Sequence, residues 1–251
     1  PQTVWALAAL VTLLLAAAPW LTRTQRAAPA VVDAAHCNGC TRCFADCPYG
    51  AITMAPHPSG RGRIAVVAAD QCAACGICAG ACPSASPFRR GARLASGIDL
   101  PALTVDALRL RLDAALRGAP TREAIVAFGC AHGADVQALA DERPVVLTLP
   151  CAGLLPPAFV DYALRSGGAG VMVVSCADGD CAYRCGAEYA SARLTGMRAP
   201  GLRRAVPRER IEPVAAADVA TLHAARSRLR ARLGESPARA PRRRGAGAPH
   251  V

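Results

Sequence analysis

Cysteine thiols in two copies of one motif are the side chains of this sequence best suited to hold metal. The first copy, Cys37–Pro48, reads C-x2-C-x2-C-x3-C-P, and the second, Cys72–Pro83, repeats this spacing. The x2 spacings let three thiolates from one loop bind three corners of an iron–sulfur cube. The x3 step and the proline direct the fourth cysteine towards the other cluster. The two copies therefore predict two [4Fe–4S] clusters.

The ligand sets follow from this exchange of the fourth cysteine. The predicted ligands of the first cluster are Cys37, Cys40, Cys43 and Cys82. Those of the second cluster are Cys72, Cys75, Cys78 and Cys47. Structural zinc or disulfides are the alternative, but zinc sites usually use paired C-x2-C or Cys/His groups. The double motif resembles that of bacterial ferredoxins, which implies an α+β ferredoxin-like dicluster domain over residues 31–89.

Strand and helix patterns alternate over residues 121–234, after a linker helix predicted within residues 90–120. Short apolar runs rich in valine, isoleucine and leucine are separated by stretches with helical periodicity. Strands separated by helices of this length form a parallel sheet with helices on both faces. We therefore predict an α/β module with a parallel sheet in a flavodoxin-like strand order.

Cysteines also follow the strands of this module. Cys130, Cys151 and Cys176 come after three successive predicted strands. Because the carboxyl ends of parallel strands meet at one edge, these thiols should converge. Cys181 joins them at the start of the next predicted helix, whose N-terminus would stabilise a thiolate. Four such thiols can hold a [2Fe–2S] cluster, with Cys185 as a possible substitute, although zinc or a redox disulfide would use the same geometry.

The sequence around these cysteines resembles a known family. The stretch Val171–Tyr183 is similar to the G-C-x-x-G-D-C-H-Y hallmark of the delta subunit of methyl-viologen-reducing hydrogenase, a domain also fused to heterodisulfide reductase subunits. Pro150–Ala163 and Ile125–Asp135 resemble two further segments of that family. The resemblance implies a [2Fe–2S] cluster and electron transfer between a hydrogenase or dehydrogenase and a heterodisulfide-reductase-like partner. The implied ligands are Cys130, Cys151, Cys176 and Cys181.

The N-terminal segment is apolar. Residues 4–21 carry no charge, and their number is close to the ~20 residues that span a bilayer. Arg23 and Arg26 follow, which by the positive-inside rule places the C-terminal side in the cytoplasm. We therefore predict a transmembrane helix over residues 1–22 and attachment to the inner (cytoplasmic) membrane. A signal peptide, which would need a basic start, and a buried helix are the alternatives. Because the first residue is Pro1, we expect this helix to end a longer membrane region.

The charge of +11 is a weak indication of nucleic-acid binding, because all 29 basic residues are arginine, which indicates compositional bias. Residues 235–251, rich in arginine, proline and glycine, are predicted to be a disordered tail. A regulatory nucleic-acid-binding iron–sulfur protein is an alternative supported by charge alone, and we expect no nucleic-acid partner. Cysteines grouped in motifs favour a reducing compartment.

Together these features predict a membrane-anchored electron-transfer subunit rather than a stand-alone enzyme. Its expected partners are a membrane quinone or cytochrome module and a hydrogenase- or heterodisulfide-reductase-like subunit. No dinucleotide-binding G-x-G-x-x-G follows any predicted strand. The alternative function is a thiol/disulfide reductase in which Cys181 and Cys185 form the reactive pair, supplied with electrons by the ferredoxin-like domain.

Overall fold

The computed structural model describes residues 2–21, 27–60, 62–89, 93–119, 124–142 and 145–235. Apart from its first residue, the predicted tail at 235–251 lies outside them.

The N-terminal helix α1 spans Gln2–Leu21. No helix among the described parts of the chain is long and apolar enough to cross a membrane. The predicted transmembrane helix over residues 1–22 and the predicted membrane attachment are therefore wrong.

The first cysteine-rich unit consists of short elements around an antiparallel hairpin. In chain order these are β1 (Val31–Val32), α2 (Arg42–Ala45), β2 (Ile52–Pro56), β3 (Arg63–Val67), α3 (Ile77–Ala81) and β4 (Ile98–Asp99). Strands β2 and β3 pair antiparallel, and β1 pairs antiparallel with β4. The inner face of the hairpin buries Ile52 and Ala65 against Cys43 and Cys78. The hairpin thus supports both cysteine loops from one side.

Helix α4 (Val105–Gly118) connects this unit to the rest of the chain. Thr104 caps it, because its side chain accepts a hydrogen bond of 3.1 Å from the backbone N–H of Ala107. Its buried stripe of Val105, Leu108 and Leu112 packs into the largest apolar core of the molecule.

The C-terminal module contains a four-stranded parallel sheet. Its strands are β5 (Ile125–Cys130), β6 (Val145–Leu149), β7 (Gly170–Ser175) and β8 (Ile211–Ala215). Their order is β6-β5-β7-β8, which in the module's own numbering is 2-1-3-4, a flavodoxin-like arrangement. Its α-helices are α5 (Ala158–Arg165), α6 (Gly186–Thr195) and α7 (Val219–Glu235). Short 3₁₀ helices lie at Val136–Glu142, Ala152–Leu154 and Arg208–Arg210. The prediction of a parallel sheet is confirmed.

The sheet is covered by a separate apolar core on each face. Val126, Phe128 and Val173 belong to the core that also takes in α4 and α5. Met172 and Val174 alternate with them and pack against α7. Because the central strands β5 and β7 are buried on both faces, their sequences are almost entirely apolar. This double cover leaves the strand ends as the place where polar and thiol groups collect.

Candidate metal centres

The two cysteine motifs fold into loops with the same unusual backbone. The residue before the second cysteine of each motif, Gly39 or Ala74, has a positive φ of 66° or 52°. The residue after it, Thr41 or Gly76, has a φ of 63° or 77°. Left-handed conformations cost free energy in alanine and threonine, so such strain marks sites where the surrounding structure demands it. In each loop the first two cysteines lie in this turn, and the third, Cys43 or Cys78, lies in the short helix that follows, α2 or α3.

The first loop borders a small cavity. Its lining contains all four cysteines predicted for the first cluster: Cys37, Cys40, Cys43 and Cys82. Gly97 and Ile98 complete the wall beside Cys82. Cys82 comes from the second motif, so the predicted crossover agrees with where this thiol lies. Cys40 is exposed, which places one side of the cavity at the protein surface.

The second loop borders another small cavity. Its lining contains the other four predicted cysteines: Cys47, Cys72, Cys75 and Cys78. Tyr49, Ile52 and Ile77 supply much of the remaining wall. This cavity is more buried than the first, because Cys75 and Cys78 are both buried. Cys43 and Cys78 pack in one apolar cluster, so the two cavities are neighbours.

The electrostatics of these thiols fit a metal cluster. Burial, together with the neighbouring Cys40, Cys82 and Cys37, raises the pKa of Cys43 to about 12. Burial also raises the pKa of Cys75 to about 11 and the pKa of Cys78 well above its usual value. Thiolates crowded in an apolar site are therefore unfavourable unless a cation compensates them, as iron does when it binds sulfur. The four-thiol donor sets and the enclosed cavities fit cubane clusters.

Cys82 differs from the other thiols because hydrogen bonds favour its charged form. Burial raises its pKa, but hydrogen bonds from Ser84, Ser96 and nearby backbone N–H groups outweigh it and lower the pKa. The Cys82 sulfur and the Ser84 hydroxyl are 3.0 Å apart, and the N–H of Gly97 donates to the same hydroxyl at 2.8 Å. Such hydrogen bonds orient a ligand and tune the site that it belongs to.

The C-terminal module brings its own thiols together at the carboxyl edge of the sheet. The sulfurs of Cys130, at the end of β5, and Cys176, just after β7, are 3.5 Å apart. Cys151 follows β6 and accepts a hydrogen bond of 3.3 Å from the N–H of Gly153. A hydrogen bond from Cys151 lowers the pKa of Cys130 to about 5, and the same contact raises the pKa of Cys151. Burial raises the pKa of Cys176 to about 11.

Cys181 belongs to the same group, but its local structure differs from the prediction. A side chain at Gly186 would touch both the Cys151 and Cys181 sulfurs, so these thiols lie on either side of the start of α6. Helix α6 begins only at Gly186, because Arg184 has a positive φ of 63°, which is incompatible with a right-handed helix. Cys181 therefore lies in a turn, and Cys185 occupies the helix N-cap, where it hydrogen-bonds Tyr189.

The described residues contain no group of three or more His, Cys, Asp or Glu side chains arranged to hold a metal ion.

The two cysteine-rich regions meet directly. Cys75 and Ile77 of the second loop share one buried cluster with Cys151 of the C-terminal module. Tyr49 and Tyr183 pack against this cluster from either side. The guanidinium of Arg184 donates a hydrogen bond of 2.9 Å to the carbonyl of Pro48, which adds a polar contact between the two regions. The second cavity thus lies beside the thiol group at the sheet edge.

Two family models match the chain. Residues 36–86 match the 4Fe-4S dicluster domain. Residues 125–233 match the delta subunit of methyl-viologen-reducing hydrogenase. The chain thus carries a 4Fe–4S dicluster domain followed by a delta-subunit domain. No curated protein and no solved structure matches it. The matches confirm the predicted iron–sulfur character of the first domain and the family resemblance of the second.

Several polar residues at the junction of the dicluster and delta-subunit domains were missed from the sequence. Asp46 is buried next to Cys47 and accepts hydrogen bonds from Arg193 and Arg198 of the delta-subunit domain. Arg198 also stacks on Tyr189, with its guanidinium carbon 3.5 Å from the ring centroid. The only signal in the sequence was an aspartate directly before the last cysteine of the motif. Its partner is 147 residues away.

Proposed function

We propose that this chain is the electron-transfer subunit of an oxidoreductase complex, in which three iron–sulfur centres form one path. The proposed ligands of the first [4Fe–4S] cluster are Cys37, Cys40, Cys43 and Cys82. Those of the second are Cys72, Cys75, Cys78 and Cys47. Those of a [2Fe–2S] centre in the delta-subunit domain are Cys130, Cys151, Cys176 and Cys181. When bound, these clusters supply reversible one-electron chemistry.

The observation that carries the proposal is that Cys75, Ile77 and Cys151 belong to one buried apolar cluster. It supports a continuous path, because a ligand candidate of the second cavity adjoins one of the sheet-edge site. The proposed path has two accessible ends. Cys40 is exposed at one of them. At the other, Cys181 lines an open crevice of about 750 Å³ beside the ends of β7 and β8.

The apolar surroundings between these ends suit electron transfer rather than substrate chemistry. Ile77 is fully buried between the two sites, and Tyr49 and Tyr183 cover them. Such a shell excludes water and keeps the clusters from exchanging with solvent. The family match of residues 125–233 supports a hydrogenase-like or heterodisulfide-reductase-like redox partner.

Iron and sulfide counts with EPR on anaerobically purified protein test this function. About ten irons per chain are expected with all three centres, and about eight with the cubanes alone. Cys181→Ser should remove the [2Fe–2S] signal, whereas Cys185→Ser, changed four positions further on, should keep it. A wild-type protein without a [4Fe–4S] signal after reduction would refute the proposal. If only Cys185→Ser loses the [2Fe–2S] signal, then Cys185 and not Cys181 is the ligand.

A second candidate is a thiol/disulfide reductase that uses Cys181 and Cys185. It is favoured by the partial exposure of both thiols and by the crevice that Cys181 lines. Alkylation of the intact protein separates the two functions, because a thiolate bound to iron does not react while its cluster remains. If Cys181 is alkylated with all iron retained, it is not a ligand and the reductase becomes the better description.

A further inference from the structure

A single buried guanidinium contacts all three loops that adjoin the second cavity and the sheet-edge thiols. Arg193, in α6, is 1% exposed. Its Nη1 donates to the carbonyl of Gly153, two residues after Cys151, at 2.7 Å. Its Nη2 donates to the Asp46 carboxylate at 2.5 Å and to the carbonyl of Ile77 at 3.4 Å. Asp46 and Ile77 each directly precede a proposed cluster ligand.

The charges of Arg193, Arg198 and Asp46 balance only in part. Asp46 also accepts two hydrogen bonds from Arg198, so one carboxylate faces two guanidinium groups. The side chains of Arg193 and Asp46 are 1% and 6% exposed, and that of Arg198 is 29% exposed. The Nε of Arg193 has no hydrogen-bond partner among the described residues. Because arginine stays protonated in proteins, the group carries a permanent net positive charge in a region that water hardly reaches.

We propose that Arg193 and Asp46 set the reduction potential of the cluster held by Cys47, Cys72, Cys75 and Cys78, with Arg193 raising it and Asp46 lowering it. This inference rests on the proposed function, since it requires that cluster. Reduction adds a negative charge to a site bounded by apolar side chains, where nearby charges act strongly. A buried cation therefore favours the reduced form and a buried anion opposes it, and net charge is one of the factors that set such potentials.

The proposal makes a signed prediction that a merely structural role does not make. Arg193→Gln should shift the potential of this cluster to a more negative value. Asp46→Asn, changed on the other side of the same ion pair, should shift it to a more positive value. The double variant should return it towards the wild-type value. A structural role would instead move both single variants in the same direction, through a more solvent-exposed cluster.

The experiment is an EPR-monitored redox titration of the full chain, with iron counted in every sample. Arg165→Gln is the matched control, because Arg165 forms an ion pair with Asp161 but its side chain is 60% exposed. We expect it to leave the potential unchanged. If Arg193→Gln loses iron, Arg193→Lys retains the charge and should keep the wild-type potential, and Asp46→Asn still gives the opposite shift.

The possible failures are distinguishable. Opposite shifts in Asp46→Asn and Arg193→Gln support the inference. Wild-type potentials in both, with full iron content, overturn it and leave the electron-transfer function standing. Shifts of the same sign also overturn it. A wild-type chain that shows no reducible [4Fe–4S] cluster refutes the proposed function itself.

Discussion

Replacing Gly80 with alanine should weaken the junction between the two domains. Gly80 lies in α3, and a Cβ there would collide with the carbonyl oxygen of Gly153. It would also lie 2.8 Å from Nη1 of Arg193 and 2.9 Å from the carbonyl oxygen of Leu154. Two of these atoms are backbone, so they cannot rotate away. The substitution should therefore push α3 away from the 3₁₀ helix at Ala152–Leu154.

The expected loss of stability combines three effects. Alanine is favoured over glycine inside a helix by about 1 kcal/mol. Overpacking costs about 1–3 kcal/mol. Disturbing the hydrogen bond from Arg193 to Gly153 costs about 1.5–3 kcal/mol, because its donor is charged. The net expectation is a destabilisation of about 1.5–5 kcal/mol, which for a chain of this size lowers Tm by at least about 3 °C.

Thermal unfolding of the iron-loaded protein checks this value. The melt is followed anaerobically by circular dichroism and by visible absorbance of the clusters, at one scan rate because cluster loss is irreversible. Gly118→Ala is the matched control, since Gly118 also lies in a helix but a Cβ added there would meet no other atom within 4 Å. It should be neutral or stabilising by up to about 1 kcal/mol. The reasoning is refuted if Gly80→Ala melts at or above the wild-type temperature.

Three further predictions test other parts of the structure. Gly76→Ala should destabilise the protein by about 2–4 kcal/mol in chemical denaturation, because it combines a positive φ with a collision against the side chain of Leu154. Gly60 has a similar φ in open space, so Gly60→Ala should cost only about 1–2 kcal/mol. Equal losses of stability in the two variants would contradict the collision. Burial raises the pKa of Asp99 to about 6, so the stability that its protonated form contributes is complete below about pH 4 and is lost as the pH rises to about 6. Asp99→Asn should remove this loss in denaturation curves recorded across that range, and an unchanged pH profile would count against it. Cys82→Ser and Cys47→Ser should each retain about four of the eight cubane irons. Cys82→Ser should leave the same EPR spectrum as a change to any of the first three cysteines of the first motif. If its spectrum instead matches that of a change in the first three cysteines of the second motif, the crossover is reversed.

Much of the site could be predicted because its information is local. The x2 spacings place three thiols close together in one loop, whatever the position of that loop in the fold. For this reason each motif by itself indicated a cluster. The convergence of Cys130, Cys151 and Cys176 followed from a topological rule, since parallel strands bring their carboxyl ends to one edge. The prediction for Cys181 was less accurate, because a positive φ at Arg184 delays helix α6 in a way that no side-chain pattern indicated.

The hydropathy of the N-terminal segment led to a wrong prediction of a transmembrane helix. An apolar composition predicted a membrane span, but the finding that no described helix is long and apolar enough to cross a membrane overturned it.

The sequence by itself determined the chemistry of this protein: which thiols belong to which motif, and that an iron–sulfur unit precedes an α/β module. Only the tertiary structure decided how the two are connected. The buried cluster of Cys75, Ile77 and Cys151 and the ion pair of Asp46 with Arg193 join residues far apart in the chain. Their proximity depends on how two domains pack, and packing is set by the summed shape of both surfaces rather than by any local spacing.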